Sequence, residues 1–125
     1  MQVFAGDFVT FNNNMNKINL DQVAYVSKGD GSDGAVFNMT NGAASAVIPG
    51  AYNAIMSNSK FMCDGNYYAS ATNKAKCVNK NLVIKADRVP GYQGNSQVNY
   101  TLVGGYVVSM DMGSESFLGS IWSAM

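Results

Sequence analysis

The stretch VFNMTNG at residues 36–42, followed by AASAVI (43–48), Pro49, Gly50 and AYNAIMS (51–57), decides how this chain is read. Its grammar returns as NYTLVGG (99–105), YVVSM (106–110), Met112, Gly113 and SESFLGS (114–120). At an offset of 63, Gly42 meets Gly105, Gly50 meets Gly113 and Ser57 meets Ser120, while Phe37, Met39, Val47 and Ile55 meet Tyr100, Leu102, Met110 and Leu118. Shared punctuation with matched apolar positions points to an internal duplication.

Working outward, Asn41-Gly42 is the strongest hairpin signal, because a primed turn needs positive φ at both central residues. It joins a strand over 35–40 to one over 43–48, which Pro49-Gly50 ends. Tyr52, Ile55 and Met56 then recur at helical spacing, predicting a helix to about Lys60. Upstream, Asp7–Phe11 reads as a strand closed by Asn12, Asn13 and Asn14, whose side chains favour turns. Lys17–Val26 reads as another, with a change of apolar phase that predicts a bulge or bend near Asp21. In the second half, strands are expected over 66–71, 81–89, 97–103 and 106–110. Ser114 would cap a helix presenting Phe117, Leu118, Ile121, Trp122 and Met125 on one face.

The expected fold is therefore α+β: two tandem β-β-β-β-α units, about 1–62 and 63–125, in a pseudo-twofold pair. Antiparallel sheets share one core, with a helix after each. At 125 residues the chain is too short for two independent domains, so the halves form a single one.

Composition bears on function mainly by exclusion. Charged residues make up 13% and the formal net charge is zero, so no global basic field draws the chain to nucleic acid or acidic lipid. Fifteen asparagines, eight methionines and no histidine are a compositional habit of AT-rich genomes such as those of phages and marine microbes. Without histidine, an acid–base catalyst would need the carboxylates, cysteines and lysines, and no pair has a catalytic spacing, so no enzyme and no cofactor are expected. Gly29–Gly34 matches the glycine pattern of dinucleotide turns, but a strand follows where a helix should, and it reads as a hairpin loop. Asp30 and Asp33 lack a third acidic ligand for calcium. Cys63 and Cys77, fourteen apart, fit neither a redox motif nor zinc and are expected as free thiols. The opening residues lack a secretory signal, and no run approaches a membrane span, so an intracellular, cytoplasmic protein is expected.

One segment carries a functional charge signal. Lys74, Lys76, Lys80, Lys85 and Arg88 fall within fifteen residues holding a single acid, Asp87. Lys74, Lys76 and Lys80 recur at even intervals, which an extended strand would aim at one face. Tyr67, Tyr68 and Tyr92 lie near in sequence. Cations for phosphates with rings for bases are what sequence-tolerant single-strand binding requires.

The order of elements resembles the Whirly-type proteins and the related transcriptional-coactivator family of single-stranded DNA binders. The residues that carry the resemblance are Lys17–Val26, Ala35–Ile48 and the helix after Pro49, then Asn81–Val89, Gln97–Met110 and the helix after Ser114. It implies two units whose sheets face outward to grip one strand. The expected function is binding of single-stranded DNA with little sequence preference, Lys74, Lys76, Lys80, Lys85 and Arg88 neutralising phosphates and Tyr67, Tyr68 and Tyr92 stacking on bases. The competing expectation is a non-enzymatic structural or assembly protein, such as a phage accessory or virion component. Sheet edges and the C-terminal helix are then the candidate contacts of a homo-oligomer. The two readings differ in whether the cations and tyrosines share one exposed sheet face.

Overall fold

A computed structural model of the chain describes residues 6–29, 33–63, 76–89 and 95–114. The first element is a hairpin of β1 (Phe8–Phe11) and β2 (Asn16–Asn19). Asn12, Asn13 and Asn14 turn it with φ of 55°, 53° and 65°, a left-handed run that asparagine tolerates better than other residues with a Cβ. A 3-10 turn at Leu20–Gln22 then leads into β3 (Val23–Lys28), which pairs with β4 (Ala35–Met39). The phase change expected near Asp21 is this turn, and a bulge between Val23 and Tyr25 follows it.

Next come α1 (Ala51–Met56), β5 (Phe61–Cys63), β6 (Lys76–Asn79) and a second 3-10 turn at Lys80–Leu82. β7 (Val83–Val89), β8 (Asn95–Leu102) and β9 (Val107–Ser114) complete the series. Three antiparallel sheets result: β1-β2, a central β4-β3-β6-β5, and β7-β8-β9.

The central sheet separates two packed clusters. Val26 and Cys77 face each other in register on one side, and with Phe37, Leu20 and Phe61 they pack against Tyr52 and Ile55 of α1 and Phe11 of the hairpin. Phe11 and Phe37 meet with ring centroids 5.1 Å apart. On the other side Tyr25 and Val78 are in register, and with Ala24 and Met62 they pack against Val98, Tyr100, Leu102, Val108 and Met110 of the third sheet. The layers therefore run helix and hairpin, central sheet, third sheet. Strands buried on both faces show apolar runs rather than simple alternation, which is why β3 reads as Val-Ala-Tyr-Val.

The expectation of two β-β-β-β-α units is corrected by this arrangement. The described residues are mostly β, with α1 as their single α-helix. That helix is shorter than predicted, because the backbone turns at Ser57 and Asn58, whose amides bond Asn53 O and Ile55 O, and Phe61 then enters the central sheet. Residues 43–48 make isolated bridges, Asn38 with Ala44 and Ala35 with Ile48, rather than a regular strand. Ser114, read as a helix cap, lies in β9 opposite Asn95. The remainder of that predicted helix, and the strand predicted over 66–71, lie outside the described residues. In place of one core shared by two sheets with a helix each, the described residues form two clusters on opposite faces of one sheet.

The two halves nonetheless repeat local geometry bond for bond. Asn19 Oδ1 accepts from Asp21 N at 3.1 Å, and Asn79 Oδ1 accepts from Asn81 N at 3.0 Å, each capping its 3-10 turn. Thr40 N donates to Gln22 O, and Val103 N to Leu82 O. Met39 N donates to Ala43 O and Leu102 N to Tyr106 O, while Gly42 N and Gly105 N close the two hairpins onto Met39 O and Leu102 O. A bulge interrupts β3 at Val23/Tyr25 and β7 at Val83/Lys85. The Asn-Gly turn differs from expectation in one respect: Gly42 takes positive φ (89°) while Asn41 does not, giving a three-residue loop in place of a two-residue primed turn.

Two further contacts secure the layers. Asn79 is fully buried and its amide donates to Leu20 O at 3.1 Å and Val23 O at 3.0 Å, pinning β6 to the first 3-10 turn. Lys60 Nζ bridges Asp7 at 2.9 Å and Asp21 at 2.8 Å at the surface. The hydrogen bond from Lys60 holds the Asp21 carboxyl below its usual pKa, and the same bond raises that of Lys60.

Candidate functional site

The cation cluster is distributed by three local features. Lys76 lies in β6 opposite Ser27, on the side of the central sheet that carries Val78 and Tyr25. Lys80 begins the second 3-10 turn and is exposed, so the even spacing of Lys76 and Lys80 does not become one strand face. Lys85 follows the bulge of β7 and pairs in register with Thr101, whereas Arg88 pairs with Val98. Thr101 and Val98 are three residues apart on β8, so Lys85 and Arg88 occupy opposite faces of the third sheet. Lys85 Nζ is 3.2 Å from Asp87 Oδ2, two residues on along the same face. Lys74, Tyr67, Tyr68 and Tyr92 lie outside the described residues.

The described tyrosines are committed to packing. Tyr100 is fully buried, its hydroxyl has no hydrogen-bond partner among the described residues, and burial raises its pKa. Tyr52 is buried under α1, where its hydroxyl lies 3.5 Å from Cys77 Sγ. Tyr25 and Tyr106 meet edge to face at 5.2 Å across the two sheets, and Tyr106 donates its hydroxyl to Met39 O at 3.0 Å. Burial, and then the neighbouring Tyr106, raise the pKa of Tyr25. These rings bind layer to layer and offer no open stacking platform.

Cys63 and Cys77 correct a second expectation. They are directly opposed across β5 and β6 and form a disulfide. A separation of fourteen says nothing about pairing, but antiparallel register places both side chains on one face. Asp33, weighed for calcium, instead accepts from Asn53 N at 2.8 Å through Oδ1, and its carbonyl accepts from Tyr52 N, so it holds the first turn of α1.

What the sequence reading did not find is an open apolar face. Ile84, Val103 and Val107 are large apolar side chains left at the surface of the third sheet's hairpin end. Val107 and Lys85 both pair with Thr101, and Ile84 is the extra residue of the bulge beside Lys85, so these positions lie on the sheet face turned away from the central sheet. The signal in the sequence was the run Leu82-Val83-Ile84, which is longer than strand alternation with one buried face requires. No helix of the described residues is long and apolar enough to cross a membrane.

No protein-family model matches the chain, and neither the curated proteins nor the solved structures return a match.

Proposed function

We propose that the chain is a non-enzymatic structural or assembly protein, of the accessory or virion-component kind, that acts through sheet surfaces. The observation that carries this reading is the division of side chains in the third sheet. Its cations sit on opposite faces and Tyr100 is buried, while its outward face carries Ile84 and Val107 with the self-compensated pair Lys85–Asp87. A single-strand groove needs phosphate-binding cations and open rings on the same face. An outward face that exposes large apolar groups suits protein contact instead.

The disulfide supports a working environment that is oxidising, such as a particle outside its host cell, in place of the reducing cytoplasm expected from the sequence. Low overall charge suits a chain that must sit beside copies of itself or a neighbour without repulsion.

The test pairs two measurements. Sedimentation velocity over a concentration series should show reversible self-association. Fluorescence anisotropy with a labelled single-stranded oligonucleotide should show no binding at low salt. Micromolar binding that prefers single strands and weakens as salt rises would overturn the assembly reading in favour of DNA.

A further inference from the structure

The disulfide lies in a row that runs across three strands of the central sheet. Val26 on β3 pairs in register with Cys77 on β6, and Cys77 pairs with Cys63 on β5. The row is on the side of the helix layer, where Val26 and Cys77 are fully buried and Cys63 packs at the margin of the cluster, partly exposed. Among the described residues β5 is an edge strand, since the sheet order is β4-β3-β6-β5. The two sulfurs are therefore unequal: Cys77 has a further strand behind it, and Cys63 has the edge of the sheet.

Thiol–disulfide exchange is sensitive to that inequality. A thiolate attacks one sulfur along the S–S axis, from the side opposite the sulfur that leaves. An approach to Cys77 Sγ on that line comes from β3, through the space that Val26 fills. An approach to Cys63 Sγ comes from the edge of the sheet. The leaving sulfur is then Cys77, and its surroundings must receive the negative charge it carries off. The Tyr52 hydroxyl lies 3.5 Å from Cys77 Sγ, and because the disulfide sulfur has no proton the hydroxyl is the donor. Lys28 Nζ stands 5.9 Å from the centroid of the same ring. A donor and a nearby cation favour a thiolate where a purely apolar pocket opposes it.

We propose that Cys63–Cys77 is a directional thiol–disulfide exchange site that opens and closes in the folded protein, Cys63 meeting the external thiol and Cys77 leaving. Tyr52 is its positioning residue. In the opening direction a thiolate forms a mixed disulfide with Cys63, and the electron pair of the broken S–S bond goes to Cys77, which takes up a proton from solvent. A second thiol attacks the reductant's sulfur in the mixed disulfide, so that two protein thiols appear and two molecules of thiol become one disulfide. Closing is the reverse: an oxidised thiol reagent places its sulfur on Cys63, and Cys77 displaces it. The strand need not leave the sheet, because its other end is held independently. Lys80 N donates to Lys60 O, Lys60 Nζ binds Asp7 and Asp21, and Phe61 and Met62 are buried on opposite faces. The site lets a chain folded with free thiols lock on reaching an oxidising environment, whatever the chain assembles with.

Reduced glutathione added to the folded full chain tests the direction. After a rapid acid quench and capping of free thiols with N-ethylmaleimide, peptide mass spectrometry should find glutathione on Cys63 and the cap on Cys77. Glutathione on Cys77, or equally on both, overturns the proposal. Dithiothreitol should open the bond at a rate proportional to its concentration and unchanged by urea below the unfolding transition. A rate that ignores dithiothreitol and climbs with urea means that the bond opens only through unfolding, which also overturns it. Tyr52→Phe keeps the ring and removes the donor, so it should slow opening about fivefold. Looser packing alone would speed opening, and an equal or faster rate removes Tyr52 from the site. None of these readouts requires self-association, so their failure leaves the assembly reading standing, and a monomeric chain leaves the exchange site standing.

Discussion

The turn capped by Asn19 and the turn capped by Asn79 share their hydrogen bonds but not their surroundings. In the first, Leu20 is fully buried and Asn19 lies partly open; in the second, Lys80 is exposed and Asn79 is fully buried. One step further, Ala24 is sealed between sheets where Ile84 meets solvent. Local bonding therefore sets the shape of each turn, and layering decides what that shape is used for. The first turn buries Leu20 in the cluster under the helix and first hairpin, and the second is the margin of an open face.

Removing the two caps should break the comparison most visibly. Asn79→Ala leaves Leu20 O and Val23 O without their buried donor and uncaps the second turn, so it should lower unfolding stability by about 4 kcal/mol. Asn19→Ala removes only a cap and should cost about 1 kcal/mol. Urea titrations followed by far-ultraviolet circular dichroism will separate them, and equal losses would show that the caps are equivalent after all.

The disulfide ties β6 to β5 beneath the first half, and the described part of the third sheet has no counterpart. Replacing Cys63 and Cys77 by alanine should cost about 3 kcal/mol by freeing the intervening loop in the unfolded chain. Reductant added to the wild type should produce a comparable loss, and an unchanged urea midpoint would show that the bond does not support the fold.

The hairpin glycines sharpen the contrast on a smaller scale. Gly104 has φ of 103° and the Thr40 backbone against it, so Gly104→Ala should cost about 2 kcal/mol. Gly105, with φ of 87° and open space around it, should cost about 1 kcal/mol on the same change. Thermal midpoints in the reverse order would mean that turn-on-turn stacking does not govern this contact.

The smallest effect belongs to the surface bridge of the first half. Because Lys60 depresses the Asp21 pKa in the folded state, the bridge contributes stability above the unfolded carboxylate pKa. That contribution is lost as pH falls through the lower, folded value. Lys60→Met should therefore flatten the loss of stability below about pH 4. A parallel acid profile for the two proteins would remove the bridge from the account. Its members are solvent-exposed, so salt should weaken the difference.

Much of this was legible locally. Gly42, Gly104 and Gly105 mark both hairpins because positive φ is easiest for glycine, and the altered apolar phase near Asp21 marks the first 3-10 turn. β6 was not legible, since Lys-Cys-Val-Asn is four residues long and flanked by lysines that read as surface. The candidate site was legible as a cluster of charge but not as a surface. The turn at 80–82 interrupts the even spacing of the lysines, and the bulge at Val83/Lys85 resets the phase of β7, so sequence neighbours part to different faces. The resemblance to single-strand binders rested on an order of elements, β-β-β-β-α twice, that the described residues do not follow.

By itself the sequence determined the repeated turns, the strand breaks and the absence of a net charge, because these depend on backbone torsions and on residue types near in the chain. Only the tertiary structure decided that Cys63 meets Cys77, that Asn79 holds the first turn, and that Ala24 is covered where Ile84 is not. Alternation along a strand distinguishes two faces, but which of them is buried depends on the layer that packs against it.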